Sequence, residues 1–276
     1  MKRFFVLATA LALSAIAQSP PTTPAPPAQP TAQRPPLPET PNSRKARELL
    51  DKTIQALGGD AYLNFQDMEQ VGRTYRFYRG VPVGTGARYW RFSKWPDKDR
   101  IELTKQRDVI YIHNGDTGWE TTYKGTRLED PQDLAEYLRI RHYSLDQVIR
   151  RWLREPGVAL FYEGAGISEQ KPVEKITIMN AKNEAATLHI HATSLLPVKK
   201  IYSLRDPKTR ETNEEAEVYD NWRAVQGIQT AHSYTRIYNG EMSGQRFIES
   251  VKYNVGLPDS MFTATVTYDP TKKTSR

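Results

Sequence analysis

Strand-length segments make up most of the chain from Met68 onward and limit what it can fold into. They are rich in aromatic and β-branched residues and are separated by Gly, Pro, Asn and Asp. A period near two with such breaks is typical of antiparallel strands joined by tight turns. Asn114-Gly115 and Asn239-Gly240 are strong signals for two-residue hairpins. The pattern predicts about ten or eleven strands in two groups, separated by a helical segment.

Three helical patterns accompany the strands. The first can be capped by Asn42 or Ser43 and ends at Gly58-Gly59. Asp130-Pro131 opens the second. The third stops at Pro156-Gly157 and carries apolar residues at helical spacing, namely Leu145, Val148, Ile149, Trp152 and Leu153. Helices inserted in a long run of antiparallel strands predict an α+β fold, with the helices gathered on one face of the sheet.

A sheet of this length is expected to curl. If it curls around the helices without closing, we expect an apolar and partly unfilled concave face. The aromatic residues of the first strand group are then either core or cavity lining, and the sequence leaves both interpretations open. They are Tyr75, Phe77, Tyr89, Trp90, Phe92, Tyr111, Trp119 and Tyr123.

The N-terminal residues predict export followed by a spacer. Lys2 and Arg3 precede an apolar run, and Ala15-Ile16-Ala17 has the small-x-small pattern of a cleavage site, so residues 1–17 are interpreted as a signal peptide. An uncleaved anchor is the alternative. Ten of the 19 prolines lie between positions 20 and 41, which predicts a disordered tether over residues 18–41, either a passive spacer or a ligand for another domain. A folded domain over 42–264 and a flexible tail over 265–276 complete the prediction.

Composition and motifs argue against several classes of function. The chain has no cysteine, which excludes disulfides, thiol nucleophiles, Cys-ligated metals and a lipidated N-terminal cysteine. A net charge of +7 spread along the chain does not indicate nucleic-acid binding. No nucleotide-binding or hydrolase motif occurs in the sequence. We therefore expect no enzymatic activity, no cofactor and no metal.

Two acid and histidine patterns remain as alternatives. His189 and His191 alternate in a strand and could chelate a metal or serve a hydrolase, although surface polar residues are the simpler interpretation. Glu214, Glu215 and Glu217 lie close together, and we expect Glu215 and Glu217 to point to solvent.

Basic residues cluster in the helical segment between the strand groups, at Arg139, Arg141, His142, Arg150, Arg151 and Arg154. Basic residues on an amphipathic helix attract anionic headgroups. We predict transient membrane or headgroup contact by Arg150, Arg151 and Arg154. An ordinary solvated helix face is the alternative.

The order of these segments resembles the LolA/LolB-like superfamily of outer-membrane lipoprotein-sorting proteins. The resemblance is carried by "ALGGDAYLNFQDM", "GRTYRFYRG", "NGDTGWE" and the final "GLPDSMF", and it covers residues 43–262. It implies an unclosed antiparallel half-barrel with a helical lid over an apolar cavity, and a periplasmic carrier of lipoprotein acyl chains or other lipids. It also implies that one strand arginine bonds the lid to the barrel, with candidates Arg73, Arg76, Arg79, Arg88 and Arg91.

The sequence thus predicts a periplasmic, non-enzymatic binding protein for lipids or lipoprotein acyl chains. An envelope interaction or stress-sensing module with a self-filled cavity is the alternative, and it would have envelope proteins as partners. The predicted ligand-contacting residues are Tyr75, Phe77, Tyr89, Arg91, Tyr111, Trp119, Leu138 and Trp152.

Overall fold

The computed structural model describes residues 39–206 and 209–270. The predicted signal peptide, residues 18–38 of the predicted tether and residues 271–276 of the predicted tail lie outside this part of the chain. Within the described residues, no helix combines the length and the apolar character that crossing a membrane requires.

The first helix, α1 (Pro41–Leu57), begins two or three residues earlier than the predicted caps, Asn42 or Ser43, would place it. Thr40 is its N-cap: the Thr40 Oγ1 accepts from the Ser43 N–H at 3.1 Å, and the Ser43 Oγ accepts from the Thr40 N–H at 2.9 Å. This reciprocal pair is a capping box. The helix ends at Gly58, whose φ of 128° is a conformation that glycine adopts without a Cβ clash. A short helix, α2 (Asp60–Asn64), follows.

All strands of the described residues belong to one antiparallel sheet of 13 strands. They are β1 (Asp67–Tyr78), β2 (Val81–Lys94), β3 (Lys98–Leu103), β4 (Val109–Asn114), β5 (Thr117–Thr122), β6 (Gly125–Leu128), β7 (Ala159–Ser168), β8 (Lys171–Met179), β9 (Ala185–His191), β10 (Pro197–Arg205), β11 (Thr212–Val225), β12 (Ile228–Tyr238) and β13 (Glu241–Tyr253). The prediction of an α+β, unclosed antiparallel half-barrel is confirmed, with more strands than expected. One strand that the prediction missed is β6, whose four residues carry no alternating apolar pattern.

The strand order explains why the sheet stays open. It runs β6-β5-β4-β3-β2-β1-β13-β12-β11-β10-β9-β8-β7, so two meanders join where β1 pairs with β13. The edge strands are β6 and β7, and the chain connects them through helix α3 (Pro131–His142) instead of through sheet hydrogen bonds.

Both edge strands have polar partners from outside the sheet. The Asn42 side chain pairs with β7, donating to the Tyr162 carbonyl and accepting from the Tyr162 N–H, each at 2.8 Å. On β6, the Thr126 carbonyl accepts from the backbone N–H groups of Thr267 and Tyr268 at 2.8 and 2.9 Å. Edge strands with occupied backbone groups are protected from pairing with another chain.

The main core lies between α1, the segment after α3 and the second meander. Its fully buried side chains include Leu50, Leu57, Trp152, Ile176 and Leu188. The predicted third helix is irregular here: a π turn (Gln147–Arg151) runs into a 3₁₀ turn (Trp152–Arg154). That irregular geometry changes which side chains of the segment face the core, because side-chain direction no longer follows a 3.6-residue period.

Candidate binding cavity under the lid helix

Helix α3 lies over the sheet without being part of the core, and we call it the lid helix. Asp130 caps it, since its Oδ1 accepts from the Gln132 N–H at 2.8 Å. None of its 12 residues is buried. A helix without a buried face gains little from hydrophobic packing, so other contacts must hold it on the sheet.

Polar contacts at three lid residues supply that attachment. Tyr137 donates to the Asp99 Oδ2 at 3.1 Å and stacks on the His113 ring with centroids 3.4 Å apart. Arg139 forms an ion pair with Glu215, and Arg141 donates to the Gly115 carbonyl at 2.7 Å. These contacts reach both meanders, because Asp99 lies on β3 and Glu215 on β11.

Gly118 on β5 explains how closely the start of the lid approaches the sheet. A Cβ at this position would lie 2.4 Å from Glu129 Oε2 and 2.8 Å from Leu134 Cδ1. Glu129 in turn pairs with the buried His113, Nε2 to Oε2 at 2.8 Å. Only glycine leaves room for this pair beneath the lid.

A cavity of about 690 Å³ opens beside the lid helix, and we call it the charged cavity. Strands β1, β11, β12 and β13 line it from the sheet side. The charged residues that line it are Arg76, Glu136, Arg139, Glu215, Glu217, Arg236 and Arg246. The expectation of an apolar cavity is therefore wrong for this space.

Glu215 and Glu217 form the anionic part of the charged cavity. Glu215 accepts from the Tyr202 hydroxyl at 2.7 Å and lies 3.5 Å from the Arg236 Nη2. Glu217 accepts from the buried Lys200 Nζ at 3.3 Å. Burial alone would raise the pKa of Glu217, but Lys200 and Arg246 outweigh it and lower that pKa to about 2. The prediction that these two glutamates point to solvent is wrong.

A second cavity of about 320 Å³ adjoins the first, and we call it the mixed cavity. The two cavities share the lining residues Ile140, Glu217, Tyr234, Arg236 and Arg246. The apolar side chains that line only the mixed cavity include Leu57, Phe65, Met68, Ile101, Leu145 and Trp222. Charged and apolar spaces therefore meet under the lid helix.

The predicted ligand-contacting residues divide between cavity and core. Tyr75 and Phe77 border the charged cavity, but strand alternation places their side chains on the face opposite Arg76, and the Tyr75 ring packs on Phe247 with centroids 6.0 Å apart. Arg91 lines the mixed cavity, where its Nε donates to the Asp99 Oδ1 at 2.9 Å. Leu138 lines a separate space of about 300 Å³ together with Arg151.

The other four lie away from these cavities among the described residues. Tyr89 is buried and donates to the Gln70 Oε1 at 2.9 Å, and Tyr111 donates to Glu120 at 3.3 Å. Trp119 is half-buried on β5. Trp152 is fully buried against the Tyr143 ring, with its centroid 5.3 Å away. The geometry favours the core interpretation for Tyr89, and the prediction that Trp152 contacts a ligand is wrong for this structure because its side chain is part of the main core.

Arg150 does not fit the predicted headgroup contact, because it is only 1% exposed. Its guanidinium donates to the backbone carbonyls of Leu63 and Phe65 at 3.2 and 2.7 Å. It also lies over the Phe65 and Trp95 rings, 4.0 and 3.9 Å from their centroids. The irregular turn directs this side chain inward, and that part of the prediction is wrong. Arg151 and Arg154 are exposed.

The arginines that bond the lid to the sheet differ from the strand candidates. Arg73 and Arg88 pair with Glu249 at 3.5 and 2.9 Å, away from the lid. Of the five candidates, Arg91 reaches the lid through Asp99, the carboxylate that Tyr137 also contacts. The direct lid contacts come from Arg139 and Arg141 on the lid itself.

Four strand residues of the charged cavity were not predicted from the sequence, namely Glu215, Glu217, Arg236 and Arg246. The sequence of β11 did contain a sign that the two glutamates face inward. Glu215 and Glu217 alternate with Tyr219 on one strand face, and an aromatic residue on that face is typical of the buried side. Tyr234, Arg236 and Tyr238 alternate in the same way on β12. Among the described residues, no group of three or more metal-ligating side chains converges, and His189 instead bonds the Ser168 Oγ at 2.8 Å.

The fold and the lid-covered cavity place this chain in the class of open, lid-bearing antiparallel half-barrels. No family model matches the chain, and no curated protein matches it. The fold is similar to a DUF1329 family protein from Desulfovibrio piger, with a TM-score of 0.58 and 14% identity, over 81% of this chain and 98% of that one.

Two further solved structures share the fold. One is a domain assigned as an outer membrane lipoprotein-sorting protein from Vibrio parahaemolyticus, with a TM-score of 0.52 and 11% identity, over 80% of this chain and 97% of that one. The other is a LolA superfamily protein from Nitrosomonas europaea, with a TM-score of 0.51 and 12% identity, over 82% of this chain and 99% of that one. The chain therefore has a LolA-like fold.

Proposed function

We propose that the protein is an exported, non-enzymatic binding protein of the bacterial envelope, which carries a lipid or a lipoprotein acyl chain under the lid helix. The observation that carries this proposal is a lid helix with no buried residue over two adjoining cavities. Both volumes lie in the range that small-molecule sites occupy. The predicted signal peptide supports a periplasmic location, and one protein with a similar fold is assigned to lipoprotein sorting.

The contacts of the lid helix are suited to reversible opening. Apart from the Tyr137–His113 ring stack they are ion pairs and hydrogen bonds, which water can replace, and no residue of the lid helix is buried. Opening therefore exposes little apolar surface of the lid. An entering acyl chain gains about 0.8 kcal/mol for each buried methylene. Of the proposed contacts, Arg91 lines the mixed cavity, and Tyr75 and Phe77 border the charged cavity. The exposed Arg151 and Arg154 are proposed to touch the membrane surface during transfer.

The test is native mass spectrometry of the mature protein purified from the periplasm, with lipid extraction from the same sample. The expected result is a bound species with an acyl-chain mass. Ile140→Glu places a charge where both cavities meet and should remove this species. Ile167→Glu makes the same change at a side chain that is 79% exposed and should leave it in place. A mass without ligand, unchanged after incubation with lipids, would contradict the proposal.

A second candidate is a module that binds an envelope protein, with the lid contacts as part of a fixed structure. The charged lining of the larger cavity favours it, because arginines and glutamates also serve protein recognition. Lipid extraction distinguishes the two candidates, since a protein-binding module would yield no acyl species.

A further inference from the structure

Positive side chains converge on the charged cavity from four separate elements. Arg76 comes from β1, Arg139 from the lid helix, Arg236 from β12 and Arg246 from β13. The three sheet arginines meet because β1, β13 and β12 are neighbouring strands, and Arg76 and Arg236 both pair with Gly244. Arg139 reaches them from the lid helix. A partly enclosed space with one sign of charge in excess concentrates ions of the opposite sign.

The carboxylates of the cavity do not balance these cations. Glu215 forms ion pairs with both Arg139 and Arg236. Glu217 forms ion pairs with Arg246, at 3.7 Å, and with the buried Lys200. Glu136 on the lid is the third carboxylate that lines the space. Five positive side chains therefore share three carboxylates.

Arg76 and Tyr234 line the charged cavity and carry hydrogen-bond donors that could bind a ligand. In the described part of the chain, the Arg76 guanidinium has no ion pair or hydrogen bond, and Arg76 is solvent-exposed. The Tyr234 hydroxyl likewise has no hydrogen-bond partner among the described residues, and its ring lies 4.6 Å from the Arg246 guanidinium carbon. Burial raises the pKa of Tyr234, so its hydroxyl keeps the proton that it would donate. A guanidinium and a neutral hydroxyl are suited to an oxyanion.

The mixed cavity, with its apolar lining, begins at residues that also line the charged cavity. Tyr234 and Arg246 line both cavities, and the mixed cavity continues past them to Met68, Ile101 and Leu145. A ligand that occupied both spaces would hold its charged group at the arginines and its chain among the apolar side chains.

We propose that the charged cavity binds the phosphate or carboxylate group of an anionic amphiphile whose chain enters the mixed cavity. This inference rests on the proposed lipid-binding function and specifies its ligand class. The anion would contact Arg76, Arg236 and Arg246 on the sheet and Arg139 on the lid helix, so binding would join the lid to both sides of the β1–β13 junction.

The test measures binding to the delipidated full mature chain by titration calorimetry with four probes. Palmitate and palmitoyl-lysophosphatidylglycerol carry the two oxyanions, monopalmitoylglycerol is the neutral analogue, and inorganic phosphate is the free anion. The two anionic lipids are expected to bind at least about tenfold more tightly than the neutral lipid, and their advantage should fall as salt rises.

Arg76→Gln is the diagnostic variant, because it breaks no ion pair of the described protein. It should weaken binding of the anionic lipids by about tenfold and leave monopalmitoylglycerol unchanged. Arg73→Gln is the matched control on the same strand, since Arg73 pairs with Glu249 and lines neither the charged nor the mixed cavity. It should leave all four affinities unchanged.

Equal affinity for palmitate and monopalmitoylglycerol, with no effect of Arg76→Gln, would overturn the inference and leave the proposed lipid-binding function intact. Failure of all three lipids would contradict the proposed function itself. If inorganic phosphate alone then bound, and Arg76→Gln weakened it, the cavity would be a site for a free anion, and the amphiphile would be rejected.

Discussion

The Arg150 guanidinium is buried between the Phe65 and Trp95 rings, whereas its neighbour Arg151 is exposed beside Glu155. Its Nη1 has no hydrogen-bond partner among the residues that the structure describes, and the two rings provide the remaining favourable contact. Burial lowers the pKa of this guanidinium, which remains charged because arginine titrates far above neutral pH. Arg150 therefore connects the turn after the lid helix to the end of α2.

Arg150→Met should lower the free energy of unfolding by about 2–3 kcal/mol, because two backbone carbonyls lose a charged donor. Arg151→Met is the control, and it should change that free energy by less than about 0.5 kcal/mol, since an exposed ion pair contributes little. Urea denaturation followed by circular dichroism measures both. Equal effects of the two variants would contradict the buried position of Arg150.

The lowered pKa of His189 predicts that the free energy of unfolding depends on pH. Burial, followed by the nearby Lys175 and Lys199, lowers the pKa of His189 from 6.5 to about 4. The unfolded chain therefore takes up this proton before the folded chain does, so the His189 contribution is fully present above pH 6.5 and is lost as pH falls toward 4. His189→Gln should flatten the decrease of unfolding free energy over that interval, as measured by urea denaturation at a series of pH values. An unchanged slope in the variant would show that other groups cause the decrease.

Helix α1 protects the edge of β7 with one side chain. The Asn42 amide occupies both backbone groups of Tyr162, next to the irregular register between Tyr162 and Gly164. The same helix packs its buried Ala46 and Leu50 in the main core. Packing and edge protection thus come from a single element.

Asn42→Ala should lower the free energy of unfolding by about 1–2 kcal/mol, because two hydrogen bonds to the sheet edge are lost. The exposed edge should also promote self-association at high concentration, which light scattering measures. Asp51→Ala on the exposed side of α1 is the control and should do neither. If the Asn42 variant matched this control in both measurements, the edge contact would be unimportant.

At the scale of the whole molecule, the half-barrel depends on both of its ends. Thr40 caps α1, and the Asp67 carboxylate accepts from the Val255 and Leu257 backbone N–H groups at 2.6 and 2.9 Å, which fixes the chain after β13. The segment that starts there then packs Leu257 and Phe262 against Phe92.

Truncation tests where the folded unit starts. A chain that begins at Glu39 should have the same melting temperature as one that begins at Gln18, since we propose that residues 18–38 are a passive spacer. A chain that begins at Asn42, the boundary predicted from sequence, lacks the Thr40 cap and should melt about 2–4 °C lower. Thermal unfolding followed by circular dichroism compares the three. Equal melting temperatures for all three chains would show that the cap is dispensable.

Local patterns in the sequence predicted the elements well where a short-range rule decides them. Alternation of side chains identified the strands, and Asp130-Pro131 marked the start of the lid helix. The cap of α1 was harder to predict, because Thr40, Asn42 and Ser43 are all capping residue types and Asn42 instead pairs with β7. The choice among them depends on a strand 120 positions away in the sequence.

The sequence by itself determined the antiparallel strands and the helix between their two groups, because periodicity and turn residues act over a few positions, whereas the open sheet was expected from the resemblance. Only the tertiary structure decided that Glu215 and Glu217 face inward and that Arg76, Arg139, Arg236 and Arg246 meet in one cavity. Alternation along a strand shows which side chains share a face, but the curl of the sheet decides which face is concave. For the same reason Arg150 could be identified as basic, while its burial depended on an irregular turn and on rings contributed by distant segments.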